Sequence, residues 1–237
     1  MKVASLNLNK KLGSDLRRTQ LATWLAANSV DVFVAQEPCK HDVDAFPLLP
    51  GFVDIGGSSM VHAWVADGFG EPPVVAEVLD PGWCLRVDIP DLVLYVVCLS
   101  PRQQTERATQ LNVLRAEMLA GDRSPTLVIG DFNMGPRDAD GRLGAAASTW
   151  NSETDRNPFR RLITDVLLVD LGAPPAPHAF TFSKPLPDRR ISAFRRDLAL
   201  ASEELVPRLG FAYDHSTREG EDRLTDHSAV LVEVGED

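Results

Sequence analysis

Short β-rich runs recur along the whole chain, and several of them stop on a carboxylate or an amide. "KVASLNLN" ends on Asn7 and Asn9, "VDVFVAQE" on Glu37, and "TLVIGDFN" on Asp131 and Asn133. Later in the sequence, Asp197 opens "DLALAS", and Asp226 with His227 leads into the last run. Runs of this length and composition, bounded by turn residues, read as strands. Residues i and i+2 of a strand share a face, so Asp131 and Asn133 are expected to reach one pocket together, with Phe132 turned into the core. Gly130 is expected to let the backbone bend or approach a neighbour closely at that point.

The remaining strands are expected at "MVHAWVAD", "VVAEVL", "CLRVDI", "LVLYVVCLS" and "AFTFS". Leu21, Trp24 and Leu25 recur at i, i+3 and i+4, the spacing of a helix with one buried stripe. Residues 105–120 form the clearest helix, with Leu111, Leu114, Met118 and Leu119 as its apolar stripe, and "PFRRLITDVLLVDLG" is a helix leading into a short strand or turn. The polar stretch from Pro136 to Asn157 is expected to be loop. Many strands follow one another with no helix between them, which does not suit a doubly wound parallel sheet. The pattern suits an α/β sandwich of two mixed sheets packed face to face, with helices outside. No repeat or linker divides the chain, so residues 1–237 are expected to form one domain.

The chain carries 24 Lys and Arg against 34 Asp and Glu, a formal net charge of −10. Proteins that grip a nucleic-acid backbone broadly are usually basic, because affinity comes largely from neutralising phosphates. A polyanionic substrate must here be met by bound cations or a local basic patch. Arg189, Arg190, Arg195 and Arg196 lie together beside Asp197 and could meet phosphates bidentately. No segment approaches the ~20 apolar residues of a membrane span, and "MKVASLNLNK" is too polar for a signal peptide. Cys39, Cys84 and Cys98 form no CxxC pair and read as reduced, buried thiols. These features point to the cytoplasm and away from a membrane.

Carboxylates, amides and one imidazole at a shared sheet edge are what phosphate ester hydrolysis requires. A hard cation such as Mg²⁺ prefers oxygen ligands and keeps several waters, so one or two carboxylates suffice. A separate carboxylate can deprotonate the attacking water. Amides hold ligands and phosphate oxygens without adding charge, and a protonated histidine can donate to charge developing on the phosphoryl group.

Taken in order, "KVASLNLN", "DVFVAQE", "LVIGDFN", "RRDLALAS" and "TDHSAV" resemble the endonuclease/exonuclease/phosphatase superfamily, over residues 2 to about 232. "GDFN" and the terminal "DH" are its specific motifs. The resemblance implies a four-layer α/β sandwich and hydrolysis of phosphate esters with Mg²⁺ or Mn²⁺. It makes Glu37 the main metal ligand, with Asn9 and Asp226 on the metal side, and Asn7 the amide that steadies the site. Asp131 resembles the residue that activates water and Asn133 its phosphate-binding partner. Asp197 and His227 resemble the family's Asp–His pair. The sequence departs from the family where many relatives carry a His or Tyr before the central helix. Here Cys98, Leu99 and Ser100 stand there, leaving Ser100, Arg102 or a residue from elsewhere as the substitute. The match of "MKVASLNLN" and "GDFN" to the exonuclease III branch, with Arg102, Arg189, Arg190 and Arg195 as substrate contacts, favours a nuclease acting on DNA. The acidic net charge and the lack of an aromatic-rich insertion leave open a phosphoesterase for a small molecule or lipid head group. An inactive binding module is the third reading. The sequence leaves the oligomeric state open.

Overall fold

The computed structural model describes residues 1–39, 48–70, 73–79, 82–121, 124–137, 140–142, 152–173, 180–185 and 191–235. In chain order the elements are β1 (Lys2–Asn7), α1 (Asp15–Ala27), β2 (Val32–Gln36), β3 (Phe52–Gly57), β4 (Val61–Ala66), β5 (Val74–Leu79), β6 (Cys84–Ile89), β7 (Leu92–Cys98) and α2 (Gln104–Ala120). They continue with β8 (Thr126–Asp131), β9 (Gly141–Arg142), α3 (Glu153–Val166), β10 (Leu168–Asp170), β11 (Phe182–Pro185), β12 (Ile191–Phe194), β13 (Asp197–Ser202), β14 (Leu209–Asp214) and β15 (Ala229–Val234).

Two six-stranded sheets dominate, in the orders β14-β15-β1-β2-β4-β3 and β10-β13-β8-β7-β6-β5, and β11, β12 and β9 form a small third sheet. Both large sheets are mixed. The β1–β2 and β7–β8 pairs are parallel, and their other pairings are antiparallel. Each parallel pair is joined through a helix, as a parallel crossover requires.

The sheets pack face to face through Val3, Val32, Val34, Leu85, Val96, Leu127, Ile129 and Val232, all buried. On the outer side of the first sheet, Leu21 and Leu25 of α1 pack with Leu6, Phe33 and Trp64. On the outer side of the second, Leu111 and Leu114 of α2 and Phe159 and Leu162 of α3 pack with Val128, Leu198 and Leu200. The order of layers is therefore helix, sheet, sheet, helix, as the strand pattern and the family resemblance imply. Strands covered on both faces lose the alternation of a half-exposed strand and become continuously apolar, which is what "TLVIG" and "VFVA" are.

Three expectations fail. The buried face of α2 is Arg107, Gln110, Leu111 and Leu114, while Leu119 is half exposed. A buried arginine is tolerable here because Asp155 of α3 meets it, with Arg107 Nε donating to Oδ2 at 2.8 Å. Helix α3 begins inside the stretch expected to be loop, at Glu153, with Ser152 Oγ capping it by accepting from Thr154 N–H. Its first turn is polar, so apolar periodicity begins only with Phe159. Strands β3, β9, β12 and β14 escape the sequence reading as well. β3 and β14 contain glycine and lie at sheet edges, where exposure removes the apolar signal. Among the described residues no helix is long and apolar enough to cross a membrane, and all three cysteines are buried thiols outside any disulfide.

Candidate active site

Parallel pairing of β1 with β2 places Asn7 opposite Gln36, so Asn7 and the following Glu37 leave the first sheet together. In the second sheet, antiparallel pairing of β13 with β8 sets Asp197 directly opposite Asp131. Asn7 joins the two sheets: its Nδ2 donates to Asp131 Oδ2 at 2.9 Å and lies 3.4 Å from Glu37 Oε1. Thr225 Oγ1 donates to the Asn7 carbonyl at 2.7 Å, bringing the segment before β15 to the same rim.

Asp131 is fully buried. Oδ1 accepts the Asn133 N–H at 2.8 Å, and Oδ2 accepts from Arg196 Nη2 at 2.9 Å in addition to Asn7. Burial pushes its carboxyl above the ordinary carboxylate range, with the Arg196 charge pulling against it. The strand that carries it can sit this deep because Gly130 has φ +142° and no Cβ; a Cβ there would lie 2.1 Å from the Val97 carbonyl oxygen of β7. Phe132 packs into the core with Phe159.

Asn133 does not share a strand face with Asp131. The strand stops at Asp131, and Asn133 takes φ +51°. The two meet through a tight turn closed by the Asp131 side chain. Asn133 Nδ2 donates to the Leu99 carbonyl at 2.8 Å, and its buried Oδ1 has no partner among the described residues. Asn9 (φ +45°), Lys10 (φ +62°) and Glu37 (φ +46°) also adopt the left-handed region that non-glycine residues rarely visit. Backbone strain of this kind gathers at functional sites, and Asn9, Lys10, Glu37 and Asn133 stand just past the ends of β1, β2 and β8, while Ser29, Asp91 and Leu167 adopt it elsewhere.

The Asp197 carboxylate oxygens both lie 3.0 Å from His227 Nδ1, and His227 Nε2 lies 3.0 Å from Arg196 Nη2. The Phe182 ring packs against the imidazole, with centroids 5.1 Å apart, and Arg196 lies over the same ring at 4.1 Å. Farther out, Asn9 Nδ2 donates to Asp226 Oδ1 at 3.0 Å, and Lys10 Nζ sits 3.5 Å from Glu37 Oε2. Burial works to raise the Asp226 carboxyl, but the neighbouring His227 and the Asn9 hydrogen bond prevail and hold it below the usual range.

Two places could hold a cation. Asp131, Asp197 and His227 offer ligand atoms within 4.8 Å of one another. That trio suits a metal poorly, because His227 Nδ1 already faces Asp197 and the guanidinium of Arg196 stands between Nε2 and Asp131. A cation there would meet a fixed positive charge. Glu37, Asp226 and Asn9 offer two carboxylates and an amide oxygen, all hard donors, and the cation beside them is the half-exposed Lys10, whose Nζ lies 3.5 Å from Glu37 Oε2 and would be displaced by a metal ion. They fit Mg²⁺ or Mn²⁺.

The expected arginine cluster is divided. Arg195 is buried and spent: Nε donates to Asp140 Oδ1 at 2.7 Å and Nη2 to Asp170 Oδ2 at 2.6 Å. Its charge is taken up inside the fold by these two acids. Arg102 is exposed, and Arg189 and Arg190 lie outside the described residues. Ser100 is also committed elsewhere, with Oγ donating to Glu106 Oε2 at 2.7 Å. The arginine that enters the site is Arg196, which the sequence reading left among the surface cluster. The signal was available: successive side chains of extended backbone point to opposite sides, so the pair Arg195 and Arg196 could not both serve one surface.

The sequence profile of the Endonuclease/Exonuclease/phosphatase family matches residues 4–227, and the chain belongs to that family. A comparison with curated protein sequences returns no match. Among solved structures, the chain resembles the 3′-5′ exonuclease NExo from Neisseria meningitidis, at 23 % identity and TM-score 0.78 over 100 % of both chains; a Neisseria NExo structure is described as a 3′ phosphatase bound to product DNA hairpin. It also resembles an AP endonuclease from Archaeoglobus fulgidus, at 20 % identity and TM-score 0.80 over 99 % of both chains. The endonuclease domain of TRAS1, a telomere-specific non-LTR retrotransposon, aligns at 17 % identity and TM-score 0.63, covering 98 % of this chain and 97 % of that one. At such identities these likenesses establish the fold.

Proposed function

We propose that the chain is a divalent-metal-dependent phosphodiesterase acting on DNA, in one domain spanning 1–237, and that it works in the cytoplasm, where its three thiols would stay reduced. The observation that carries the reading is the meeting of Asn7, Glu37, Asp131, Asn133, Asp197 and His227 at one rim, from segments up to 220 residues apart in the sequence numbering.

Glu37, with Asp226 and Asn9, would hold Mg²⁺ or Mn²⁺. The bound cation supplies charge neutralisation for the phosphoryl oxygens and the leaving oxygen. Asp131 takes the proton of the attacking water, a task suited to a carboxylate whose burial raises its proton affinity. The buried Oδ1 of Asn133 is a costly unpaired acceptor, and that same water can donate to it. His227 is anchored by Asp197 on Nδ1 and faces Arg196 Nη2 at 3.0 Å on Nε2, so the imidazole and that guanidinium would meet the phosphoryl group together. Asn7 keeps Glu37 and Asp131 at fixed separation.

The test is a substrate panel with Mg²⁺, Mn²⁺ or chelator: abasic duplex, duplex with a 3′ phosphate, single-stranded DNA, RNA and phosphomonoesters. Cleavage of DNA that chelator abolishes, and that Asp131→Asn lowers by ~10²-fold or more, is expected. Turnover of a small ester with every nucleic acid left intact would refute DNA as the substrate.

A further inference from the structure

Resting on that reading, we infer that Arg196 is a positioning residue of the active site: its guanidinium bridges Asp131 and His227 and fixes how each presents itself to the substrate. The bridge is made by one atom. Nη2 carries two hydrogens, and it lies 2.9 Å from Asp131 Oδ2 and 3.0 Å from His227 Nε2. A guanidinium has donors and no acceptor and stays charged in proteins. The contact with Nε2 therefore requires that nitrogen to be the lone-pair side of a neutral ring. The ring proton then sits on Nδ1, where it is shared with the two Asp197 oxygens at 3.0 Å. One arginine thereby selects the His227 tautomer from outside while Asp197 selects it from inside.

Asp131 is governed in the same way. It is fully buried and stands directly opposite a second carboxylate, Asp197. Two buried acids facing across one strand pair need a nearby cation to share the charge. Arg196 is that cation, and with Asn7 and the Asn133 N–H it leaves the carboxylate little freedom to rotate. Its own placement is built. The backbone N–H groups of Arg196 and Asp197 both donate to Thr181 Oγ1 at 3.1 Å, and the guanidinium lies over the Phe182 ring at 4.1 Å. Arg196 is buried with 6 % of its surface exposed, so solvent screens this charge little. The preceding residue, Arg195, turns the other way to Asp140 and Asp170, so the doubled arginine serves two separate purposes.

The experiment reads the imidazole directly. The whole chain, labelled with ¹⁵N on histidine, is examined by two-bond ¹H–¹⁵N correlation, which reports directly which ring nitrogens carry a proton; His227→Gln assigns the His227 signal. The expected result is a single tautomer with Nδ1 protonated and Nε2 bare, which becomes a mixture in Arg196→Met. In steady-state kinetics Arg196→Met is expected to lower kcat by ~10²-fold with KM within about threefold, because the lost interaction acts on the chemical step. Arg196→Lys should recover part of that loss and not all, since an ammonium restores a charged donor but not the planar group that lies over Phe182. A wild-type ring protonated on Nε2 overturns the inference without any variant. So does an Arg196→Met enzyme with unchanged kcat. The tautomer is read without substrate, so its failure is separate from a failure to find phosphoesterase activity.

Discussion

Gly130→Ala joins the fold to the site in a single atom. The strand β8 delivers Asp131, and its last step before the acid runs against β7 so closely that a Cβ on residue 130 would lie 2.1 Å from the Val97 carbonyl oxygen and 3.0 Å from the Val97 backbone nitrogen. Backbone atoms in the middle of a sheet cannot rotate away, so β7 and β8 must separate. The φ of +142° adds a second penalty, because L side chains rarely adopt it. Strained backbone of this kind costs about 1–3 kcal/mol, and forcing extra volume into a packed interior costs a similar amount. Together they give a loss of about 4 kcal/mol. At roughly 2–4 °C per kcal/mol for a chain of this size, the melting temperature should fall by about 8–16 °C. Thermal unfolding followed by circular dichroism measures it, with Gly13→Ala as the control, since a Cβ at Gly13 meets nothing within 4 Å. Well below the new melting temperature the variant should still lose at least about tenfold in kcat, because small misplacements of a reacting group are expensive. A Gly130→Ala protein that melts within about 2 °C of wild type would refute the close approach and the account of how Asp131 is seated.

Other consequences follow from single groups. Arg195→Met strips the cation from Asp140 and Asp170, leaving the buried Asp140 to Arg137; a loss of about 3–5 kcal/mol is expected by denaturant titration, since breaking a buried pair leaves an uncompensated charge, and a loss under ~1 kcal/mol would make the clamp unimportant. Glu37→Gln should raise the Mg²⁺ concentration needed for half-maximal activity by about tenfold or more while leaving the fold intact; an unchanged metal titration removes Glu37 from the cation site. His62 is buried, and burial holds its pKa below the ordinary 6.5 despite the contact with Asp54. Unfolding therefore takes up a proton as the pH falls below 6.5, so stability declines there with decreasing pH. His62→Gln should flatten the plot of melting temperature against pH between about 7 and 5, and an identical slope would show that His62 is not the group responsible.

What could be read from the chain alone was whatever a short window encodes. Continuous apolar runs such as "TLVIG" announce strands covered on both sides, and "GDFN" announces a strand that stops on polar groups. The ordered series of such endings, one per strand, led to the family and to a layered sandwich. Edge strands and polar helix starts were lost, because partial exposure at β3 and β14 and the charged first turn of α3 carry no apolar period. The shared-face argument for Asp131 and Asn133 chose the right pocket for the wrong reason. Strand geometry ends at Asp131, and a side-chain-closed turn carries Asn133 the rest of the way.

Tertiary structure decided the charges. Arg195 and Arg196 are identical in type and adjacent in sequence, yet one is consumed by Asp140 and Asp170 and the other stands between Asp131 and His227. Alternation turns them to opposite sides, but nothing local says which one enters the site, because that lies in which acids arrive from other strands to meet each side of the backbone. Residue type and periodicity are properties of a neighbourhood in sequence, and they gave the buried strands, the layers and the kind of chemistry. Electrostatic partnership acts through space at about 3 Å, and only the folded arrangement of β1, β8, β13 and the segment before β15 brings those partners within that distance.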